Sequence, residues 1–315
     1  MKPDISNSQA RYCIVVAASE RLDRLTDNSH QRQLNFQQAA IAKKRFLRET
    51  SVRARRVASP ANVLVSAREE DRSIWVGPLW FTRPARRFIS DRGVPTSLST
   101  AAAVLSIAAR SPSSLVTILP SDFWVARESV LAEAIEAALT AMKQVPDTVA
   151  TLGMSDNDPG GDEDYLIVGP GSSRMGVAIQ AKADRPKPPV AKRLLDEGAL
   201  VASGILLGHA QAFAVRIRKY WPQWAQELTA TVGLDCSTEA ERRLSADQCL
   251  HISRSVTYSM RLFPPTFAMR AFRVHGSGWC SRRRSNTVND VRAASASDLR
   301  AVSRGLDTVR VDSLS

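Results

Sequence analysis

The sequence predicts an α/β domain with a mostly parallel central sheet flanked by helices. Three observations carry that expectation. Short apolar runs recur along the chain, helical patterns separate them, and the runs are continuous rather than alternating. Continuous apolar runs are what strands buried on both faces require. The 315 residues, 44% hydrophobic and 23% charged, suffice for one large α/β domain or two smaller ones.

The runs come in order. Cys13–Ala18 reads CIVVAA, and charged ERLDR follows shortly, so it is a first strand rather than a signal peptide. Asn62–Ser66 contains VLV; Leu115–Leu119 is LVTIL; Thr148–Leu152 is TVATL; Val177–Gln180 is VAIQ; Val201–Gly208 is VASGILLG. Helices fit between them. Ala40–Val57 is basic and free of Gly and Pro. Ser99–Arg110 has high helix propensity and stops before Ser111-Pro112. Val130–Met142 sets Leu131, Ile135, Ala138, Leu139 and Met142 on one face, with Glu133 and Glu136 off it. Ala210–Trp221 is limited by Pro222. One domain is expected over residues 1–285. A basic, weakly packed tail of Arg, Ser, Ala and Asp follows over 286–315.

Composition narrows the classes of function. No apolar run reaches the ~18 residues of a membrane span. Cys13, Cys236, Cys249 and Cys280 are widely spaced, which argues against a zinc site or a disulfide framework and points to the cytoplasm. The net charge is +12 and uneven: residues 31–56 carry eight Lys or Arg against Glu49 alone. Such a run either attracts phosphates or forms a solvated helix face; without interleaved aromatics it does not read as a nucleic-acid surface. His30, His209, His251 and His275 lack ligand spacing. Asp156–Asp164 (DNDPGGDED) reads as a solvated surface loop, not a calcium loop.

The segment Ser114–Ala126, SLVTILPSDFWVA, carries the most chemistry. Asp122 follows an apolar strand and precedes a helix. A carboxylate there can hold a metal ion over a phosphate chain, or it can simply cap a turn.

Leu119-Pro120-Ser121-Asp122-Phe123-Trp124-Val125 resembles the Leu-Pro-Ser-Asp-His-x-Val of the sugar-phosphate nucleotidyltransferases, above all the mannose-1-phosphate guanylyltransferases. Other segments follow in that family's order. They are CIVVAA with Arg21-Leu22, Arg32-Gln33-Leu34, Glu49–Arg72, Asp91-Arg92-Gly93 with Thr96, and Thr151-Leu152-Gly153-Met154. After them come Asp164-Tyr165-Leu166-Ile167, Asp184-Arg185-Pro186, Ser203-Gly204 and Gly278-Trp279-Cys280-Ser281.

The resemblance implies a nucleotide-binding, Rossmann-like (GT-A-like) fold that joins a nucleoside triphosphate, GTP for the guanylyltransferases, to a sugar 1-phosphate and releases pyrophosphate. It implies Mg²⁺ at Asp122, phosphates at Arg21, Arg32 and Arg185, and nucleotide or sugar contacts at Ser19, Thr96, Gly153, Tyr165, Asp184, Ser203 and Gly204. The chain also departs from the pattern. Ser19-Glu20-Arg21-Leu22 lacks the family's glycines, and Ser281 stands where a second metal carboxylate is usual. Arg32 and Arg185 replace lysines, a swap that keeps charge and changes shape. These departures leave two expectations open: a divergent enzyme, or a non-catalytic homologue that binds nucleotide, sugar phosphate or a partner protein.

Overall fold

The computed structural model describes residues 9–17, 29–155, 163–171, 173–232, 240–245 and 269–281, with backbone alone at 29–39 and 230–232. The expected 286–315 tail, Ser19 and Arg21 lie outside the described residues.

Every apolar run named above forms a strand. They are β1 (Arg11–Ala17), β2 (Val63–Arg68), β4 (Leu115–Pro120), β6 (Val149–Met154), β8 (Val177–Ala183) and β9 (Leu200–His209). Strands β3 (Arg87–Ser90), β5 (Phe123–Trp124), β7 (Tyr165–Val168), β10 (Arg242–Leu244), β11 (Met269–Val274) and β12 (Cys280–Ser281) complete the set among the described residues. The longer helices are α1 (Ser29–Val57), α3 (Thr96–Arg110), α4 (Glu128–Met142), α5 (Pro188–Asp196), α6 (Ala210–Tyr220) and α7 (Pro222–Val232); α2 (Arg72–Trp75) is one turn. Pro222 ends α6 as expected and opens α7, a position where its missing N–H removes no helical bond.

The main sheet runs β10-β3-β2-β1-β4-β9-β6-β11-β8-β7, and β7 pairs back onto β9. The expectation of a mostly parallel sheet needs correction. From β10 to β4 all pairings are parallel. Strand β9 then enters antiparallel to both β4 and β6. Beyond it β6 and β11 are parallel, while β8 and β7 add antiparallel pairs. The sheet is mixed, and β9-β6-β11-β8-β7 closes into a ring.

Successive residues of a strand face opposite sides, and β1 shows it. Cys13 and Val15 join Leu47 and Ala54 of α1 and Leu131 and Ile135 of α4. Ile14 and Val16 join Leu98 and Val104 of α3, Phe213 of α6 and Trp224 of α7. Burial pushes the Cys13 thiol pKa up and keeps it neutral, so it packs as a small core residue.

Candidate functional site

Parallel strands present their carboxyl ends on one rim, where α/β proteins place ligands. Strand β4 ends there at Pro120. Ser121 ties it to β1: its backbone N–H and its hydroxyl both donate to the Val16 carbonyl, at 3.2 and 2.9 Å. Asp122 follows in the bend between β4 and β5 and is half-buried.

The residue after Asp122 is held from several sides. Phe123 is fully buried and packs against Trp279 at 6.2 Å between ring centroids. The Arg53 guanidinium lies 4.7 Å above its ring. Arg53, 3% exposed, donates to Glu128 at 2.6, 3.0 and 3.1 Å. The basic run of α1 is therefore not simply a solvated face: Lys43 pairs with Asp71, Arg45 pairs with Glu49, and Arg55 lies over Phe81. Burial raises the Glu49 pKa, and the nearby guanidiniums of Arg53 and Arg45 only partly offset that.

Strand β5 forms a ribbon with β12, Ser281 opposite Phe123 and Cys280 opposite Trp124. Arg127 N–H donates to the Ser277 carbonyl at 2.9 Å, continuing the ribbon. Gly278 has φ 62°, and a Cβ there would lie 2.6 Å from the Ala126 Cβ, so the close approach requires glycine. Ser281 donates its hydroxyl to Glu163 Oε1 at 2.8 Å. Glu163 is 5% exposed, which corrects the reading of its acidic segment as a solvated loop; residues 156–162 lie outside the described set. Its Oε2 is buried and has no hydrogen-bond partner among the described residues.

The ring brings most remaining candidates together. Val274, Met154, Val201, Tyr165 and Ala183 form one register row across β11, β6, β9, β7 and β8. Gly153, Ser203-Gly204, Asp164 and Asp184-Arg185 therefore sit within a few residues of that row. The Ser203-Gly204 pair forms a β-bulge: pairing jumps from Thr151–Leu206 to Gly153–Ala202. Ser203 donates to the Leu152 carbonyl at 2.7 Å, and Gly204 takes φ 77°. The bulge turns the first residues of β9 toward β7.

Other expected residues have structural settings. Tyr165 is fully buried in the core on the Cys13 side of the sheet, and Leu166, 5% exposed, joins the core on the opposite face. Thr96 opens α3, 4% exposed; its carbonyl accepts from Ser66, Ser99 and Thr100 at 3.2, 3.0 and 2.8 Å. Lys182 bridges Asp164 at 2.7 Å and Asp184 at 2.6 Å. Arg185 is the non-glycine residue with positive φ, 43°, among the described residues. A bulky residue in that region is sparsely favoured, and such strain concentrates where function fixes a side chain. Arg32 lies in α1, where only the backbone is described.

The donor set suits a hard cation. Mg²⁺ commonly takes one or two carboxylates, and waters and substrate phosphates complete its octahedron. Asp122 is one carboxylate at the strand end, and Glu163 has an unpaired oxygen beside the same ribbon. Among the described residues no group of three or more His, Cys, Asp or Glu side chains is placed to hold a metal. No helix of the described residues is long and apolar enough to cross a membrane.

No family model and no curated protein matches the chain. Solved structures do share its fold. The crystal structure of mannose-1-phosphate geranyltransferase from Thermus thermophilus superposes with TM-score 0.61 at 18% identity, over 86% of this chain and 76% of that one. Mannose-6-phosphate isomerase from Helicobacter pylori superposes with TM-score 0.56 at 14% identity, over 87% of this chain and 100% of that one. At such identities the likeness establishes the mixed α/β fold.

Proposed function

We propose that the chain is a divergent sugar-phosphate nucleotidyltransferase of the mannose-1-phosphate guanylyltransferase kind. The observation that carries this reading is the position of Asp122. It is a carboxylate on the carboxyl rim beside the end of β1, and the bulged, glycine-containing ring joins that rim through the β5–β12 ribbon. The names of both fold relatives concern mannose phosphates, which supports a sugar phosphate as ligand.

In this reading a nucleoside triphosphate, GTP first among them, and a sugar 1-phosphate meet on the rim. The sugar's phosphate oxygen attacks the α-phosphorus, the α–β bridging bond breaks, and pyrophosphate leaves. Catalysis is positioning and charge neutralisation. Arg21, Arg32 and Arg185 hold phosphates as bidentate guanidinium donors. Gly204, half-buried at the bulge, lets the sugar approach the backbone, whereas Gly153 is packed against the buried Leu200 and serves the ring's own packing. Asp122 binds Mg²⁺, which when present neutralises phosphate charge and orients the triphosphate.

A second reading, a non-catalytic homologue that binds the same ligands or a partner protein, is favoured by Ser281 and by the glycine-free Ser19–Leu22. Calorimetry with GTP, with and without Mg²⁺, is the first test. Mg²⁺-dependent binding lost in Asp122→Ala supports a nucleotide site. GTP binding that ignores both Mg²⁺ and Asp122 removes the metal from the proposal.

A further inference from the structure

We propose that Glu163 supplies the second carboxylate of a divalent-cation site whose first is Asp122. It reaches the site from the segment before β7, where the Ser281 hydroxyl of β12 orients it. The inference rests on the function proposed above and names a residue for it.

Four observations converge. Ser281, which has no charge to offer a cation, is the cross-strand partner of Phe123, and Asp122 is the next residue along. Glu163 is anchored to this point by the Ser281 hydroxyl at 2.8 Å. It is nineteen-twentieths buried, and its second oxygen has no hydrogen-bond partner among the described residues. The nearby ammonium of Lys182 is already shared between Asp164 and Asp184.

A buried carboxylate oxygen without a donor is strongly disfavoured. A cation removes that penalty and uses the oxygen left unpaired. Asp122 lies in the bend between β4 and β5, so the strict side-to-side alternation of neither strand dictates its direction. The serine hydroxyl, meanwhile, orients the glutamate. Hydrogen bonds of this kind from outside the ligand set commonly fix a carboxylate ligand, and removing one typically weakens metal binding about 10–100-fold.

The test uses the full chain with Mn²⁺ alone, titrated by electron paramagnetic resonance, and thermal melts of each variant alongside. Glu163→Gln keeps an oxygen to accept the Ser281 hydroxyl, so the fold is retained while the charge is lost. We expect Asp122→Asn and Glu163→Gln each to weaken Mn²⁺ binding about tenfold or more. The double variant Glu163→Gln/Ser281→Asp moves the carboxylate back to β12 and regains most of the affinity.

Wild-type binding by Glu163→Gln overturns the proposal; if Asp122→Asn still loses binding, the cation at Asp122 survives without Glu163. A double variant that melts with the wild type yet binds no better than Glu163→Gln also overturns it. So does a wild-type chain that takes up no Mn²⁺. A chain that binds Mn²⁺ through both residues but never releases pyrophosphate keeps this site and loses the catalytic reading.

Discussion

Arg53→Met probes the support beneath the bend that carries Asp122. The guanidinium is 3% exposed, makes three hydrogen bonds to Glu128, and lies 4.7 Å over Phe123. Breaking a buried ion pair by removing one partner costs about 3–5 kcal/mol, because the other charge is stranded. Here Glu128 is 37% exposed and water can reach it, which reduces that figure. The lost cation–π contact adds about 1 kcal/mol. A net loss of about 2–3 kcal/mol follows, or a fall in Tm of roughly 3–5 °C for a domain of this size. Urea melts at pH 7 measure it. The pair Arg53→Met/Glu128→Gln recovers part of it, since the Glu128 carboxylate is no longer stranded, while Glu49, 3.6 Å from Arg53 in the wild type, keeps only Arg45. If Arg53→Met melts within about 0.5 kcal/mol of the wild type, Arg53 is not a buried anchor and the reasoning is refuted.

Two glycine substitutions test the ring. In Gly153→Ala the new Cβ falls 2.7 Å from the Leu200 Cβ and Cδ1, and calorimetric melts are expected to show a loss of about 1–3 kcal/mol. Gly204→Ala, at φ 77°, loses about 1–2 kcal/mol through backbone strain, and a melt equal to wild type contradicts the bulge. The edge strand β10 gives a pH dependence. Hydrogen bonds from Arg72 and Arg87 hold the Glu241 carboxyl below its ordinary range, after allowing for burial. Its stabilisation is complete above the ordinary carboxylate pKa and is lost as pH falls through the lowered one; Glu241→Gln removes that acid-side slope in urea midpoints. Glu49 has the opposite sign. Burial raises its pKa, so its unfavourable contribution enters as pH rises from the ordinary value through the raised one, and Glu49→Gln is expected to flatten that segment of the curve.

The strands of the sheet were legible because both faces are covered, and continuous apolar runs survive in β1, β4 and β6. Their directions were not. Nothing in VASGILLG tells that β9 runs against β4, because its place depends on pairings with β6 and β7 far away in sequence. Strand β11 was missed because Arg270 and Arg273 interrupt its apolar pattern, although Arg270 turns to the carbonyls of Met175 and Gly176. Strand β3 is only four residues long.

In the candidate site, Asp122 could be read from strand-end chemistry, whereas Ser203-Gly204 entered only through the family resemblance and its bulge emerged from the pairing of β6 with β9. Glu163 could not, since nothing in DNDPGGDED marks it as a buried carboxylate. Arg53 carried a signal that composition hid. It shares a helical face with Phe46, Thr50 and Val57, all buried, so its spacing marked it as an inward-facing cation within a basic run.

Pyrophosphate release from GTP and mannose 1-phosphate in Mg²⁺ tests the central claim most directly. Wild-type protein is expected to release it only when both substrates and the metal are present, and Asp122→Ala to abolish release while melting with the wild type. Release that persists in Asp122→Ala, or a wild-type chain that neither releases pyrophosphate nor binds GTP in Mg²⁺, would contradict the account.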